Sequence, residues 1–176
     1  MIKAQAISTI NSLKIKEKIA IFSLLIILMA YLPTVIRFQP ITGSLINMFL
    51  VLAVFTIGFR GAILLGIMPS FFALASGLLP PFFIPMVPFI ITGNIILIAV
   101  YHYLGRKNFG ATIIAAGFAK FLFLFASASL LISFMPEGKQ ALPLISMMGW
   151  AQFLTAVSGG MLAYFILLFI KKIKNN

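Results

Sequence analysis

Hydrophobic positions along this chain collect into six long blocks, at residues 19–36, 41–59, 61–79, 86–104, 111–134 and 143–170. A helix that crosses about 30 Å of hydrocarbon needs roughly 20 apolar residues, so each block predicts one membrane-spanning helix, the last two long enough to tilt or run past the bilayer. The joints between them are short: RFQP, a single Arg60, PPFFIP, GRKNFG and MPEGKQAL. Such joints force sequential helices to lie antiparallel side by side. The expected fold class is therefore all-α, a compact polytopic bundle of six transmembrane helices forming one domain over residues 1–176. Residues 1–18 form its cytoplasmic N-terminal segment, in which Ile2, Ala6, Ile10 and Leu13 recur at helical spacing opposite lysines. That recurrence fits either a short helix on the inner leaflet or a frayed tail.

Composition supports the membrane assignment. The 176 residues are 62% hydrophobic and 9% charged, with a mean hydropathy of +1.19, too little charge to cover a soluble surface. A net charge of +11 would suggest nucleic acid in a soluble domain. Here most of the basic residues flank apolar blocks, where they set topology and meet anionic lipid. Lys3, Lys14, Lys16, Lys18, Arg60, Arg106, Lys107, Lys171, Lys172 and Lys174 fall on one side, against Arg37 and Lys139 on the other. Both termini are accordingly expected in the cytoplasm of a multi-pass cell-membrane protein. The first block is expected to remain as an anchor, since its charged preface is long and no small-x-small cleavage site follows it.

With the sidedness set, the polar residues within the blocks sort by depth. Asn47 lies a third of the way down the second block, below Gln39, Thr42 and Ser44; Asn94 lies in the fourth, with Thr92 above it. Gln152 lies at a similar depth in the last block, just past Trp150. Ser76, Ser127 and Ser129 add hydroxyls in the outer half. Amides and hydroxyls at one depth on several helices suit an outward-facing cavity, because each polar group left unpaired in hydrocarbon costs several kcal/mol. They also suit plain interhelical hydrogen bonding. Lys120, in AAGFAKFLFLFASASLL, differs in kind, lying about 15 Å deep with no intramembrane acid to pair with. A charge there costs at least about 2.5–3.5 kcal/mol, which makes it a functional candidate. It must snorkel, lose its proton, rest on carbonyls and water, or await an anion from outside.

Absences remove whole classes of function. Aspartate is missing and Glu17 and Glu137 flank the blocks, so the ligands of metal-dependent lipid enzymes and the intramembrane carboxylate of a proton-coupled carrier are lacking. His102 is the sole histidine, there is no cysteine, and neither a GxSG turn nor a phosphate-binding glycine loop occurs. No enzyme activity, metal or cofactor is expected, and nucleic acid is not an expected partner. Small residues recur at four-residue spacing as Ala111, Ala115 and Ala119, and again as Ala156, Gly160 with Gly159 and Ala163. They serve close packing within the bundle or a dock for another subunit.

Residues 39–97 run from a polar start through a glycine-arginine-glycine turn and the proline-rich LLPPFFIPMVPF to a Gly-Asn pair. With the six-block plan, this stretch resembles the substrate-binding S components of energy-coupling factor transporters, the vitamin and micronutrient importers. The resemblance implies capture of a small polar or anionic solute from the outer face, with uptake powered by a separate transmembrane coupling subunit and cytoplasmic ATPases. Lys120, Asn94, Asn47, Gln152, Trp150, Ser44, Thr92 and Ser127 are the expected substrate-binding residues. The first block departs from the family, offering Ala20 and Ser23 but Leu24 where an Ala-x-x-x-Ala contact would continue. The start MIKAQ lacks the histidine of the cobalt and nickel branch, so a metal cargo is not expected. The alternative is a non-transporting assembly or scaffold protein whose polar residues only join helices.

Overall fold

The computed structural model describes residues 13–134 and 141–174. The N-terminal segment before residue 13, Glu137 and Lys139 lie outside the described residues. Among the described residues seven α-helices run in order: α1 (Ile15–Val35), α2 (Gln39–Thr56), α3 (Phe59–Ala75), α4 (Val87–Leu104), α5 (Phe109–Ser133), α6 (Ala141–Met148) and α7 (Trp150–Lys174). A 3-10 segment, Pro81–Met86, joins α3 to α4. No strand occurs among the described residues, and the all-α membrane architecture is as expected. Five stretches among the described residues are long and apolar enough to cross a membrane.

The ends of the helices follow local chemistry. The Lys14 backbone N–H donates to Glu17 Oε2 at 2.8 Å in a capping box that starts α1. Asn108 caps α5 by accepting from the Ala111 N–H at 3.3 Å. Gly58, at φ +99°, reverses the chain between α2 and α3 in a conformation that a side chain disfavours. Because of that turn α3 begins at Phe59, and Arg60 lies in its first turn rather than in a joint of its own. Pro88, expected inside a span, sits in the first turn of α4, where a missing N–H costs nothing.

Two spans differ from the sequence expectation. The third block ends as helix at Ala75, so α3 has 17 residues and falls short of the others. The chain then turns through Gly77 (φ +71°) and packs back through Leu79, Phe83 and Met86, all buried with Leu124, Leu144 and Met148. The stretch LLPPFFIPMVPF therefore packs into the end of the bundle. The sixth block is two helices, broken at Gly149. The Gln152 side-chain Nε2 donates to the Met147 carbonyl at 3.0 Å across the break, taking up a carbonyl that continuous helix would have used.

Helix α7 packs against α2 and α5, α4 against α5 and α3, and α1 against α3 and α2. The small residues of α7 are spent inside this packing: Ala156 and Ala163 are buried, and a Cβ on Gly159 would stand 2.5 Å from the Ser44 carbonyl oxygen and 2.8 Å from the Met48 nitrogen. Gly159 and Gly160 are thus unavailable as a dock for a second protein. Ala111 and Ala115, by contrast, face outward on α5.

Phe55, Tyr101, Phe109 and Tyr164 meet at ring-centroid distances of 5.1–6.5 Å, and Phe59 stacks on His102 at 4.6 Å. These contacts join the end of α2, the start of α3, the end of α4, the start of α5 and the second half of α7. Helices α2 to α5 therefore alternate in direction, α7 runs opposite to α5, and an aromatic layer closes the end of the bundle that carries Arg60 and Arg106.

Gly159→Val is expected to destabilise the protein by about 1–3 kcal/mol in denaturant titration in detergent, because backbone atoms of α2 cannot yield to the new side chain. Gly110→Ala, whose Cβ would meet nothing closer than Asn108 Oδ1 at 3.7 Å, is expected to be neutral or slightly stabilising. Equal effects would contradict the close α2–α7 approach.

Candidate functional site

Lys120 sits in the middle of α5 with 3% of its surface exposed. Its Nζ donates to Asn47 Oδ1 of α2 at 2.7 Å and to Asn94 Oδ1 of α4 at 2.8 Å. Three helices that share no sequence neighbourhood are thereby joined at one nitrogen. Each amide is held from behind. Asn94 Nδ2 donates to the Gly66 carbonyl of α3 at 2.9 Å, and Asn47 Nδ2 reaches Thr155 Oγ1 of α7 at 3.4 Å. A Cβ on Gly66 would meet Asn94 Cβ at an ordinary 3.6 Å and press on the end of the Ile98 side chain, Cδ1, at 2.9 Å. The two amides present their oxygens to the lysine because their nitrogens are engaged elsewhere.

Magnitudes show why both amides are needed. Hydrogen bonds to a charged group contribute about 1.5–3 kcal/mol each, and placing a lysine at mid-bilayer costs at least about 2.5–3.5 kcal/mol. One amide roughly meets the lower end of that cost; two cover it. Of the four fates open to this lysine from sequence, the geometry removes snorkelling: the nitrogen rests on two side-chain carbonyls and reaches neither surface.

A cleft of about 90 Å³ descends to this centre, with Asn47, Asn94, Lys120 and Ser70 at its foot. Gln39, Thr42 and Gln152 supply its other polar groups, while Ile46, Pro69, Leu79, Ile90 and Met148 form much of the wall. The lining comes from the start of α2, the second half of α3, the first half of α4 and the α6–α7 break, so the cleft lies at the end opposite the aromatic layer. At 10–15 Å³ for each water-sized sphere, it has room for roughly 6–9 such spheres.

Thr42 and Gln152 each have a donor engaged in local structure. Thr42 Oγ1 donates to the Ile36 carbonyl at 2.7 Å, and Gln152 Nε2 is bound at the helix break. Ser70 differs: its hydroxyl oxygen is buried in a residue 3% exposed and has no hydrogen-bond partner. Sequence reading passed over Ser70, naming Ser76 of the same block instead; Ser76 Oγ donates to the Ala73 carbonyl at 3.2 Å, outside the cleft lining. The signal available for Ser70 was its place after Pro69, whose ring cannot donate to the carbonyl four residues back.

Of the eight expected site residues, Lys120, Asn47, Asn94 and Gln152 come together at the cleft. The other four do not line it. Trp150 is 65% exposed and stacks on Phe121 at a centroid distance of 4.8 Å, turned outward on α7. Thr92 is exposed and donates to the Pro88 carbonyl at 2.9 Å. Ser44 and Ser158 join α2 to α7 through their hydroxyls at 2.7 Å, and Ser127 is buried but donates to the Phe123 carbonyl at 2.8 Å. Each of these hydroxyls has a local structural use. Among the described residues no group of three His, Asp or Glu side chains is placed to hold a metal ion.

The Asn47→Leu substitution is expected to destabilise the protein by about 1.5–3 kcal/mol, since it strands one bond to the lysine. In a Lys120→Met background the same change is expected to cost less than half as much, because Asn47's remaining bond is long. Denaturant titration of the four proteins of this cycle measures the coupling. Additive costs would contradict a lysine held by that amide.

No protein-family model, no curated protein and no solved structure matches this chain.

Proposed function

We propose that the chain is the membrane-embedded solute-binding component of an uptake transporter of the energy-coupling factor type, taking a small polar or anionic solute from the outer face of the membrane. The observation that carries this reading is Lys120: an amine at mid-depth, with no acid among the described residues that line its cleft, at the foot of an opening lined by residues of six helices, α2 to α7. A side chain needed only to join helices has no use for a cleft leading to it, and intramembrane ionisable residues that face a cavity mark ligand pathways. The direction of the opening agrees. Ten basic residues flank the apolar blocks on the side of Arg60 and Arg106, which makes that side cytoplasmic and turns the cleft outward.

Binding alone does not move a solute. The chain has no phosphate-binding loop for a nucleotide and no acid in its apolar blocks to couple to protons. Transport then depends on separate coupling and ATPase subunits, and the outward-facing Ala111 and Ala115 on α5 are the small-residue surface left for them. A second reading, a scaffold whose polar core only fastens helices, draws on the two amides that already bind Lys120. It leaves the unpartnered Ser70 hydroxyl without a purpose.

Orientation and dependence on partners are both measurable. A cysteine at Phe38, 60% exposed in the joint before α2, is expected to react with an impermeant thiol reagent on intact cells, while one at Arg106 is not. The purified chain alone, reconstituted with a proton gradient, is expected to bind solute without accumulating it. Labelling at 106 but not 38 would reverse the sidedness, and gradient-driven accumulation would make the chain a self-sufficient carrier.

A further inference from the structure

The unspent hydrogen-bonding groups at the foot of the cleft are donors. Lys120 uses two N–H bonds on Asn47 and Asn94, and its ammonium has a third. Ser70 carries a buried hydroxyl with no partner. The acceptors beside them are already in use: each asparagine oxygen receives the lysine, and the Gly66 carbonyl receives Asn94 Nδ2. A solute that brings acceptors suits this floor, and two donors match the two oxygens of a carboxylate.

Charge narrows the class further. Among the described residues Lys120 is the one cationic residue lining the cleft and no acid lines it, so opposite an ammonium one negative charge gives neutrality. A solute ammonium would meet no carboxylate, and the second charge of a dianion would meet no second cation in a low-dielectric setting where unpaired charge is expensive. Arg37 lies in the exposed joint two residues before Gln39, where it can steer anions toward the opening. The wall is apolar, with Ile46, Pro69, Ala73, Leu79, Ile90 and Met148 around the volume above the floor. That wall suits an organic body and gives nothing to a hydrated inorganic ion.

Resting on the reading of the cleft as a solute site, we infer that its ligand is a small monocarboxylate, bound with the carboxylate against Lys120 and Ser70 and an uncharged, mainly apolar body toward the opening. About 90 Å³ accommodates roughly 6–9 non-hydrogen atoms, the size of a single ring bearing a carboxylate. The same chemistry exists in aqueous aryl or branched-chain acids and in the head of a fatty acid.

The test is the thermal unfolding of the full chain in a non-ionic detergent and chloride-free buffer, with benzoate, benzamide, phenylglycine, inorganic phosphate, chloride or octadecanoate added at saturating concentration. Benzoate is expected to raise the melting temperature by roughly 2–4 °C or more, with benzamide, zwitterionic phenylglycine, phosphate and chloride giving no comparable rise. Lys120→Met is expected to abolish the benzoate response. Ser70→Ala, which strands no charge, is expected to weaken it by at least tenfold in half-saturating concentration and serves alone if Lys120→Met does not fold. A response to octadecanoate alone would keep the carboxylate chemistry and make the source the membrane. A Lys120-dependent response to benzamide, phenylglycine, phosphate or chloride equal to that of benzoate would overturn the monocarboxylate and leave the solute site standing. No response to either carboxylate would also overturn it. An equal benzoate response in the parent and in Lys120→Met would remove the cleft itself as the place of binding.

Discussion

A lysine nitrogen in the middle of a membrane, bonded to two amide oxygens and to no acid, is the constraint around which the rest of this bundle is arranged. Asn47, Asn94 and Lys120 arrive from three helices, and the nitrogens of the two amides are fixed by Thr155 and by the Gly66 carbonyl, on two more. Close approach of α2 and α7 at Gly159 holds Asn47 and Thr155 side by side. The amides spread the lysine's charge over neutral dipoles without neutralising it. A carboxylate in their place would have paired with it fully.

The two ends of the molecule differ in a way that gives the centre a direction. Toward Arg60 and Arg106 the space between helices is filled by Phe55, Tyr101, Phe109 and Tyr164. Toward the other end α3 stops at Ala75 and the last span breaks at Gly149, and residues beside those two interruptions, Leu78, Leu79, Met147, Met148 and Gln152, line the cleft. Helix irregularity within a membrane is tolerated where it is buried in protein or borders a cavity. Both interruptions here satisfy that condition, through the packing of Phe83 and Met86 and through the Gln152 bond to the Met147 carbonyl.

Much of the helix plan was legible because hydrocarbon imposes a length on apolar blocks, and α2, α4 and α5 lie within a few residues of the blocks that foretold them. The break at Gly149 was not, since apolar residues continue on both sides and hydropathy carries no record of a local turn. Depth was also legible: counting along each block placed Asn47, Asn94 and Gln152 at a similar depth in the outer half and Lys120 near the midplane. Azimuth was not. Thr92 precedes Asn94, and Trp150 precedes Gln152, by two residues, a rotation of about 200° on a helix, so one member of each pair turns in and the other out. Ser70 escaped notice because a lone serine carries no signal until its neighbours are known to leave its hydroxyl unpaired.

The most direct measurement is native mass spectrometry of the protein gently extracted from its own membrane, comparing the small molecules retained by the parent and by Lys120→Met. If Lys120 is the anchor of a solute site, the parent carries one acidic small molecule at near-stoichiometric occupancy and the variant, folded to the same extent, has lost it. The same complement of bound molecules in both proteins would contradict a solute site at Lys120 and leave its bonds to Asn47 and Asn94 as a fastening between helices.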